Sequence, residues 1–99
     1  MASSNLQEDP ASGGAKREEW WYVYRLQSRS APTFCYIGLT RHLHRRLRQH
    51  NRCENPSTAP YTPLQIVFAA AFPDKRRAQA FEAYLKSGSG HAFANKRLW

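Results

Sequence analysis

The first regular pattern along the chain is a pair of short apolar and aromatic runs, WWYVYRLQS at 20–28 and FCYIGL at 34–39. Aromatic and β-branched residues of this kind favour strands. The segment between the runs contains Ser-Ala-Pro-Thr and predicts a turn, so the two strands form a hairpin. A third run, PLQIVFAAAF at 63–72, has a β-branched centre and predicts a buried strand.

A helix is predicted between the second and third strands. Leu43 and Leu47 lie at i and i+4 in the basic segment 41–52, which favours a helix with a narrow apolar stripe. Thr40 offers an N-cap oxygen at its start. The segment 53–62 contains two prolines and an asparagine and predicts a loop.

Two further helices are predicted after the third strand. Asp74 can cap the first of them, which runs to about Lys86. The Ser-Gly-Ser-Gly segment at 87–90 predicts its end, because glycine readily adopts the left-handed cap conformation. Residues 91–98 predict a last short helix. The apolar residues on one face of the longer helix are Ala78, Phe81 and Leu85.

The elements therefore follow the order β-β-α-β-α-α. We expect an α/β fold of the α+β type, with a small three-stranded antiparallel sheet flanked by helices. A length of 99 residues allows one domain. Residues 1–18 are rich in Ser, Ala, Gly, Glu and Pro and predict a disordered tail, which leaves 19–99 as the folded domain.

The charged residues are unevenly distributed along the chain. The whole chain has 15 Lys and Arg against 7 Asp and Glu, a net charge of +8 with neutral histidines. Residues 20–99 hold 13 basic and 3 acidic side chains, a net of +10. Nucleic acid is the commonest partner for such a charge, because neutralising phosphates releases counterions. A well-solvated basic surface is the alternative interpretation.

The sequence shows no membrane or export segment. Its longest unbroken apolar stretch, 66–72, is far shorter than the roughly 20 residues that a membrane span needs. The first residues, MASSNLQEDP, lack the apolar core of a signal peptide. We therefore expect a cytoplasmic protein with no membrane association and with reduced thiols at Cys35 and Cys53.

Three tyrosines of the predicted hairpin are candidates for chemistry. Tyr22 and Tyr24 project from the same side of the first strand, and the hairpin register can bring Tyr36 beside Tyr24. Two neighbouring phenols could orient or deprotonate a water molecule. Ordinary packing in a core is the alternative. Gly38, inside the second strand, predicts a bulge or a close approach of the backbone.

The predicted first helix carries a stripe of basic and imidazole side chains. His42, Arg46 and His50 lie at i, i+4 and i+8 and share one face. Arg46 can donate two hydrogen bonds to phosphate oxygens, and His50 can act as acid, base or phosphate ligand. A solvated basic face is the alternative interpretation of the same pattern.

Glu82 is the carboxylate within 20–99 that neither a helix cap nor a loop explains. It lies four residues after Ala78 and three before Leu85, so it shares the apolar side of its helix. A carboxylate there is costly to bury unless it is paired or holds a metal. Glu82 therefore predicts either a metal ligand or a salt bridge, for example to Arg46. In the last helix, Asn95 could orient a phosphate, a metal-bound water or a carboxylate.

Taken together, these positions resemble the GIY-YIG nuclease superfamily. The paired motif of that family is matched by YVY at 22–24 and by YIG at 36–38. Arg46 and His50 fall eight and twelve residues after the glycine of YIG, as an arginine and a histidine do in the helix of the family. Glu82 lies in FEAYLKSGSGHAFANKRL, which resembles the metal-binding glutamate segment of small free-standing members.

The resemblance covers residues 20–98 and departs from the family at two positions. Tyr22 stands where the first glycine of the motif would be, and Val23 stands in place of its isoleucine. The motif tyrosine is retained as Tyr24.

The resemblance implies a metal-dependent DNA endonuclease that hydrolyses phosphodiester bonds. By analogy, Glu82 holds one Mg²⁺ or Mn²⁺ ion, and Tyr24 with Tyr36 positions or deprotonates the attacking water. Arg46 stabilises charge on the phosphate, and His50 assists proton transfer or holds a phosphate. A free phenol has a pKa of about 10, so Arg46 or the metal must lower the pKa of Tyr24. The side chains expected to contact phosphates or nucleic acid are Arg45, Arg48, Asn95 and Lys96.

A nucleic-acid-binding module without catalysis is the alternative function. Glu82 distinguishes the two, because an acid facing phosphate would only repel the ligand of a binding protein. The chain has no room for a second DNA-binding domain, so we expect either selectivity for single-stranded or branched DNA or recruitment by a protein partner. No small-molecule cofactor is expected. Trp20, Trp21 and Trp99 could stack on unpaired bases, or pack against the sheet edge and the C-terminus.

Overall fold

The computed structural model describes residues 20–99, and the predicted tail at 1–18 lies outside the described residues. The element order is β-β-α-β-α-α, which confirms the predicted α+β fold. No helix within 20–99 is both long enough and apolar enough to cross a membrane. The strands are β1 (Trp21–Ser28), β2 (Cys35–Thr40) and β3 (Leu64–Phe72). The helices are α1 (Leu43–Asn51), α2 (Lys75–Lys86) and α3 (Gly88–Arg97), and a 3-10 turn spans Ala59–Tyr61.

The first strand is the centre of the three-stranded sheet, whose order is β2-β1-β3. Both neighbours pair with β1 in the antiparallel sense. The pairing with β2 places Tyr24 opposite Gly38 and Leu26 opposite Tyr36. The pairing with β3 shifts register between Arg25 and Leu26, which marks a bulge. Each of the three strands begins one residue later than predicted.

The sheet has a separate apolar core on each face, because alternate side chains of β1 point to opposite sides. Helices α2 and α3 cover one face, and α1 covers the other. The buried residues of the first core are Val23, Ala78, Leu85 and Ala94. Those of the second core are Tyr24, Leu26 and Leu64, with Leu43 and Leu47 of α1 packed against them.

The predicted N-cap of α1 is wrong. The helix begins at Leu43 rather than 41, and its N-cap residue, His42, makes no side-chain capping bond. Thr40 is still paired in β2, so it lies too far from the helix to cap it. Its Oγ1 instead accepts a hydrogen bond of 3.1 Å from the His42 backbone N–H. The hydroxyl therefore stabilises the turn that leads from the sheet into α1.

The predicted N-cap of α2 is confirmed, since Asp74 Oδ1 accepts a hydrogen bond of 2.8 Å from the Arg77 backbone N–H. The prediction that glycine ends this helix is wrong, because Gly88 and Gly90 lie inside α3. Ser87 caps α3 through its Oγ, which accepts from the Gly90 backbone N–H at 3.1 Å. A serine cap satisfies a free N–H group at the helix start, so a new helix follows α2 directly.

Gly90 allows the end of α2 and the start of α3 to lie in close contact. A Cβ built at Gly90 would lie 2.5 Å from the carbonyl carbon of Tyr84. That atom belongs to the backbone, which cannot move aside as the end of a flexible side chain can. A Cβ built at Gly88 would have no heavy atom within 4 Å. The two glycines of α3 therefore differ in the space around them.

We expect Gly90→Ala to lower the free energy of unfolding by about 1–3 kcal/mol, because the added methyl overlaps backbone atoms. Gly88→Ala is the matched control and should stabilise the protein by up to about 1 kcal/mol, since alanine favours the helix. Urea denaturation of both variants measures the difference. Equal stabilities would contradict the close contact between the two helices.

Candidate active site

Tyr24 is a central-strand residue whose side chain is 1% exposed. Its ring lies against Gly38, the residue opposite it in β2. A Cβ built at Gly38 would lie 2.6 Å from Cζ of Tyr24 and closer still to the hydroxyl oxygen. The close approach predicted at Gly38 is therefore confirmed, and the approaching group is the phenol of Tyr24.

His50 lies near the end of α1, is fully buried and forms hydrogen bonds through both ring nitrogens. Its Nε2 lies 3.1 Å from the Tyr24 hydroxyl oxygen. The ring centroid of Tyr36 lies 5.0 Å from that of His50 and 6.3 Å from that of Tyr24. The hairpin register thus places both tyrosines beside the histidine. We call Tyr24, Tyr36 and His50 the tyrosine–histidine cluster.

Thr58 is a member of this site that sequence analysis missed. Its Oγ1 lies 2.8 Å from His50 Nδ1, and the residue is fully buried. It belongs to the segment 53–62, which predicts only a loop. An isolated threonine among polar residues has no period and no motif, so only the folded structure reveals its partner.

Arg46 lies one helical turn before His50 and reaches the phenols of the cluster. Hydrogen bonding to the Tyr24 hydroxyl raises the pKa of Arg46, and the Tyr36 phenol adds to this effect. Arg46 Nη1 also donates a hydrogen bond of 3.0 Å to Gln49 Oε1. The site therefore contains a permanent cation that a neighbouring side chain helps to orient.

Burial raises the pKa of Tyr24 above the ordinary phenol value. The hydrogen bond from Arg46 lowers it, while Tyr36 and Glu82 raise it further. Arg46 thus lowers the pKa of Tyr24, as the sequence predicts, but burial raises this pKa by more. Tyr24 is therefore a neutral phenol at neutral pH, suited to passing a proton on rather than to holding a negative charge.

Burial lowers the pKa of His50, and the positive charge of Arg46 lowers it further. The imidazole is therefore neutral at neutral pH, and one of its ring nitrogens is a hydrogen-bond acceptor. Full burial also leaves no imidazole surface for a phosphate. Of the two roles that the resemblance implies for His50, this geometry suits proton transfer.

Glu82 lies on α2, with 21% of its side chain exposed. Its carboxylate pairs with Lys86 Nζ at 3.2 Å, one helical turn further along. The salt bridge that sequence analysis offered as an alternative is therefore formed with Lys86 rather than with Arg46. The negative charge of Glu82 nevertheless acts on the Tyr24 hydroxyl and raises its pKa.

The side chains present fit only a metal site in which the protein supplies few ligands. Within residues 20–99, no three His, Cys, Asp or Glu side chains are grouped to hold an ion. Mg²⁺ is commonly held by one or two carboxylates, with waters and substrate phosphates completing its shell. The partly exposed carboxylate of Glu82 fits such a site, since Lys86 engages its Oε2.

The predicted nucleic-acid contacts fall into two regions. Arg45 and Arg48 are exposed on α1, the helix that carries Arg46. Asn95 and Lys96 are exposed on α3, which packs on the opposite face of the sheet. A groove beside the cluster is lined by Trp21, Leu39, Arg41, Arg45, Arg46 and Gln49.

The amide of Asn95 bonds within its own part of the chain. Its Nδ2 lies 3.2 Å from His91 Nε2, and its Oδ1 accepts a hydrogen bond of 3.0 Å from Trp99 Nε1. Among the described residues, no hydrogen bond links Asn95 to the tyrosine–histidine cluster. Trp99 itself packs against Phe68, with centroids 5.4 Å apart, and below Arg25.

A comparison with models of protein families matches residues 20–96 to the GIY-YIG catalytic domain. The chain belongs to the GIY-YIG family. The match confirms the resemblance that the sequence predicts from YVY and YIG, and it covers nearly all of the described residues. The GIY-YIG domain is a nuclease domain, and nucleases of this family generally use a divalent metal ion.

The chain is also similar to bacterial UPF0213 proteins. It is 35% identical over 66 residues to one from Clostridium perfringens, which is 66% of this chain and 69% of that protein. It is 34% identical over 71 residues to UPF0213 protein YazA of Bacillus subtilis, covering 68% of this chain and 65% of YazA. A UPF0213 protein of Nitratidesulfovibrio vulgaris is 33% identical over 72 residues, 72% of this chain and 64% of the relative. The chain thus spans about two thirds of the length of these relatives.

The lowered pKa of His50 makes stability depend on pH. Unfolding returns the imidazole to water, where it binds a proton at about pH 6.5, so the unfolded chain takes up this proton first. The contribution of the neutral His50 to the free energy of unfolding is therefore complete above about pH 6.5. It is lost as the pH falls towards the folded-state pKa of His50. We expect His50→Gln to reduce the fall in unfolding free energy between about pH 7.5 and about pH 5.5.

Urea denaturation across this pH range measures the effect. His42→Gln is the matched control, because it removes an exposed histidine at the start of the same helix. An unchanged pH dependence in His50→Gln would show that the native imidazole is not held neutral.

Proposed function

We propose that this chain is a divalent-metal-dependent DNA endonuclease that cuts single-stranded or branched DNA faster than plain duplex. The observation that supports it most directly is the buried hydrogen bond between Tyr24 and His50, with Arg46 beside the same hydroxyl and the charge of Glu82 acting on it. A base, a phenol, a cation and a carboxylate are the groups that phosphodiester hydrolysis requires. The imidazole and the cation lie beside the phenol of Tyr24, and the charge of the carboxylate acts on the same hydroxyl from α2.

The proposed proton path runs from the attacking water to Tyr24 and then to His50. In this path the Tyr24 hydroxyl donates to Nε2 of the neutral His50 imidazole, whose Nε2 lies 3.1 Å from the hydroxyl oxygen. As Tyr24 passes its proton to Nε2, its oxygen takes the proton of the water, and no lasting phenolate is needed. Tyr36, which is partly exposed, positions the water from the neighbouring strand.

Arg46 is proposed to bind the phosphate that is cut. Its guanidinium has five donors, and Gln49 and the two phenols leave donors for non-bridging oxygens. A fixed cation stabilises the extra negative charge that develops on the phosphate in the transition state. Holding the guanidinium in advance avoids reorganisation when the reaction occurs.

Glu82 is proposed to hold one Mg²⁺ or Mn²⁺ ion through its carboxylate. When bound, the metal would polarise the phosphate and stabilise the leaving oxygen. Glu82 gives up its ion pair with Lys86 to do so, which is a small loss because exposed pairs contribute little. Lys86, released from this pair, is proposed to bind a phosphate oxygen.

The proposed preference for unpaired DNA rests on the groove that Arg46 helps to line. Trp21 lines this groove, with Arg41 at 5.5 Å and Lys75 at 5.0 Å from the centroid of its ring. An aromatic face among cations suits a single strand, whose bases stack and whose phosphates need positive charge. Arg45 lies in the same groove. We propose that Arg48 and Lys96, both exposed, contact phosphates further from the cut, with Asn95 beside them on α3.

The test is cleavage of labelled single-stranded, duplex and branched DNA with Mg²⁺, with Mn²⁺ and with EDTA. We expect metal-dependent cutting, fastest on the single-stranded or branched substrates. Glu82→Gln should lower the cleavage rate by about a hundredfold or more, as the loss of a group that stabilises transition-state charge does. DNA binding should be unchanged or tighter, because a negative charge near the phosphates is removed.

Glu54→Gln is the matched control for Glu82→Gln. Glu54 is the other glutamate of the described residues, and it is paired with Arg52 at 2.8 Å on the surface. Tight binding without cutting under every metal condition would instead favour a nucleic-acid-binding module. Faster cutting of plain duplex would contradict the proposed strand preference, and no preference at all would favour specificity supplied by a protein partner.

A further inference from the structure

Thr58 is a fully buried hydroxyl residue in the segment between α1 and β3. Its Oγ1 lies 2.8 Å from His50 Nδ1 and 3.4 Å from the carbonyl oxygen of Asn55. The same carbonyl accepts the backbone N–H groups of Thr58 and Ala59, at 3.1 Å and 3.0 Å. The Asn55 side chain adds a bond of 2.8 Å from the Ser57 N–H. The threonine is therefore held by a tight turn and faces the imidazole.

The direction of the hydrogen bonds follows from the donors available at Tyr24. A guanidinium can only donate, so Arg46, which acts on the Tyr24 hydroxyl, offers no acceptor for the phenol hydrogen. The phenol is 1% exposed, and His50 Nε2 is the acceptor in reach of its own hydrogen. Since His50 is neutral, Nε2 must then be unprotonated and Nδ1 must carry the proton.

The remaining bonds are consistent with this assignment. Nδ1–H donates to Thr58 Oγ1, and the Thr58 hydroxyl donates to the Asn55 carbonyl. Every donor in the chain from Tyr24 to Asn55 then has an acceptor. With the opposite tautomer, Nε2–H would point at the Tyr24 oxygen, and the buried phenol hydrogen would lack an acceptor, which is unfavourable.

We propose that Thr58 is a positioning residue that holds His50 in the Nδ1–H tautomer, so that the Nε2 lone pair faces the Tyr24 hydroxyl. The catalytic part of this proposal rests on the proposed nuclease function. The tautomer itself is a property of the folded protein and does not depend on it. Thr58 acts through His50, as the second partner of an imidazole commonly selects its tautomer.

The groups that face His50 come from all sides of its site. They are Tyr24 on β1, Tyr36 on β2, Arg46 on its own helix and Thr58 in the following turn. Of these four, only Thr58 contacts Nδ1. Replacing the hydroxyl by a methyl therefore removes the acceptor of Nδ1–H and leaves the contacts of Nε2 in place.

The matched variants are Thr58→Val, which keeps the shape and removes the hydroxyl, and Thr58→Ser, which keeps the hydroxyl. Nitrogen-15 NMR of the imidazole rings at neutral pH reports the tautomer, with His50→Gln used to assign the signals. We expect Nδ1–H in the wild type and in Thr58→Ser, and a population of Nε2–H in Thr58→Val. Nε2–H in the wild type, or pure Nδ1–H in folded Thr58→Val, would overturn the proposal. The wild-type spectrum decides the tautomer even if Thr58→Val fails to fold, and Nε2–H in a folded Thr58→Ser would then contradict the role of the Thr58 hydroxyl.

Cleavage kinetics test the catalytic consequence. Thr58→Val should lower kcat by about tenfold to a hundredfold with little change in KM, as losses of partners that orient an imidazole do. Thr58→Ser should recover most of kcat. Full activity in Thr58→Val would overturn the positioning role. Nδ1–H in a wild type that cuts no DNA under any metal condition would instead contradict the nuclease function and support the tautomer assignment.

Discussion

The buried hydrogen bond between the Tyr24 hydroxyl and His50 Nε2 joins the centre of the sheet to α1. It requires Gly38, because any side chain there would occupy the space of the Tyr24 ring. It also requires α1 to pack its apolar stripe on the same face of the sheet, since His50 lies at the end of that helix. The site therefore forms only when strand, hairpin and helix are all in place, so the fold and the chemistry depend on the same contacts.

Burial favours the neutral form of both partners in this bond. It raises the pKa of Tyr24 and lowers that of His50, so the proton rests on the phenol. Arg46 instead favours the ionised form of Tyr24, because its positive charge stabilises a phenolate. The resting site thus holds no charged base beside the position proposed for a phosphate. In the proposed proton path, Tyr24 releases its proton to His50 only as a water molecule supplies another.

The hydrophobic pattern predicts the three strands from apolar and aromatic runs and the first two helices from apolar residues at helical spacing, because buried positions leave these patterns in the sequence. The neighbouring positions of Tyr24 and Tyr36 follow from the hairpin. The role of Ser87 was harder to predict, because a serine cap and a glycine stop compete within the same four residues. The partners found for Glu82 and His50, namely Lys86 and Thr58, were missed for a different reason. The partner of a polar residue that belongs to no repeating pattern is determined by tertiary packing, which the sequence does not show.

The most direct test of the central claim is the single-turnover cleavage rate of Tyr24→Phe, because this change removes the hydroxyl and keeps the ring against Gly38. We expect a folded protein, unchanged DNA binding and a rate lower by about a hundredfold or more. Tyr84→Phe, an exposed tyrosine on α2, is the control and should cut as the wild type does. A Tyr24→Phe rate close to that of the wild type would contradict a proton path through this hydroxyl.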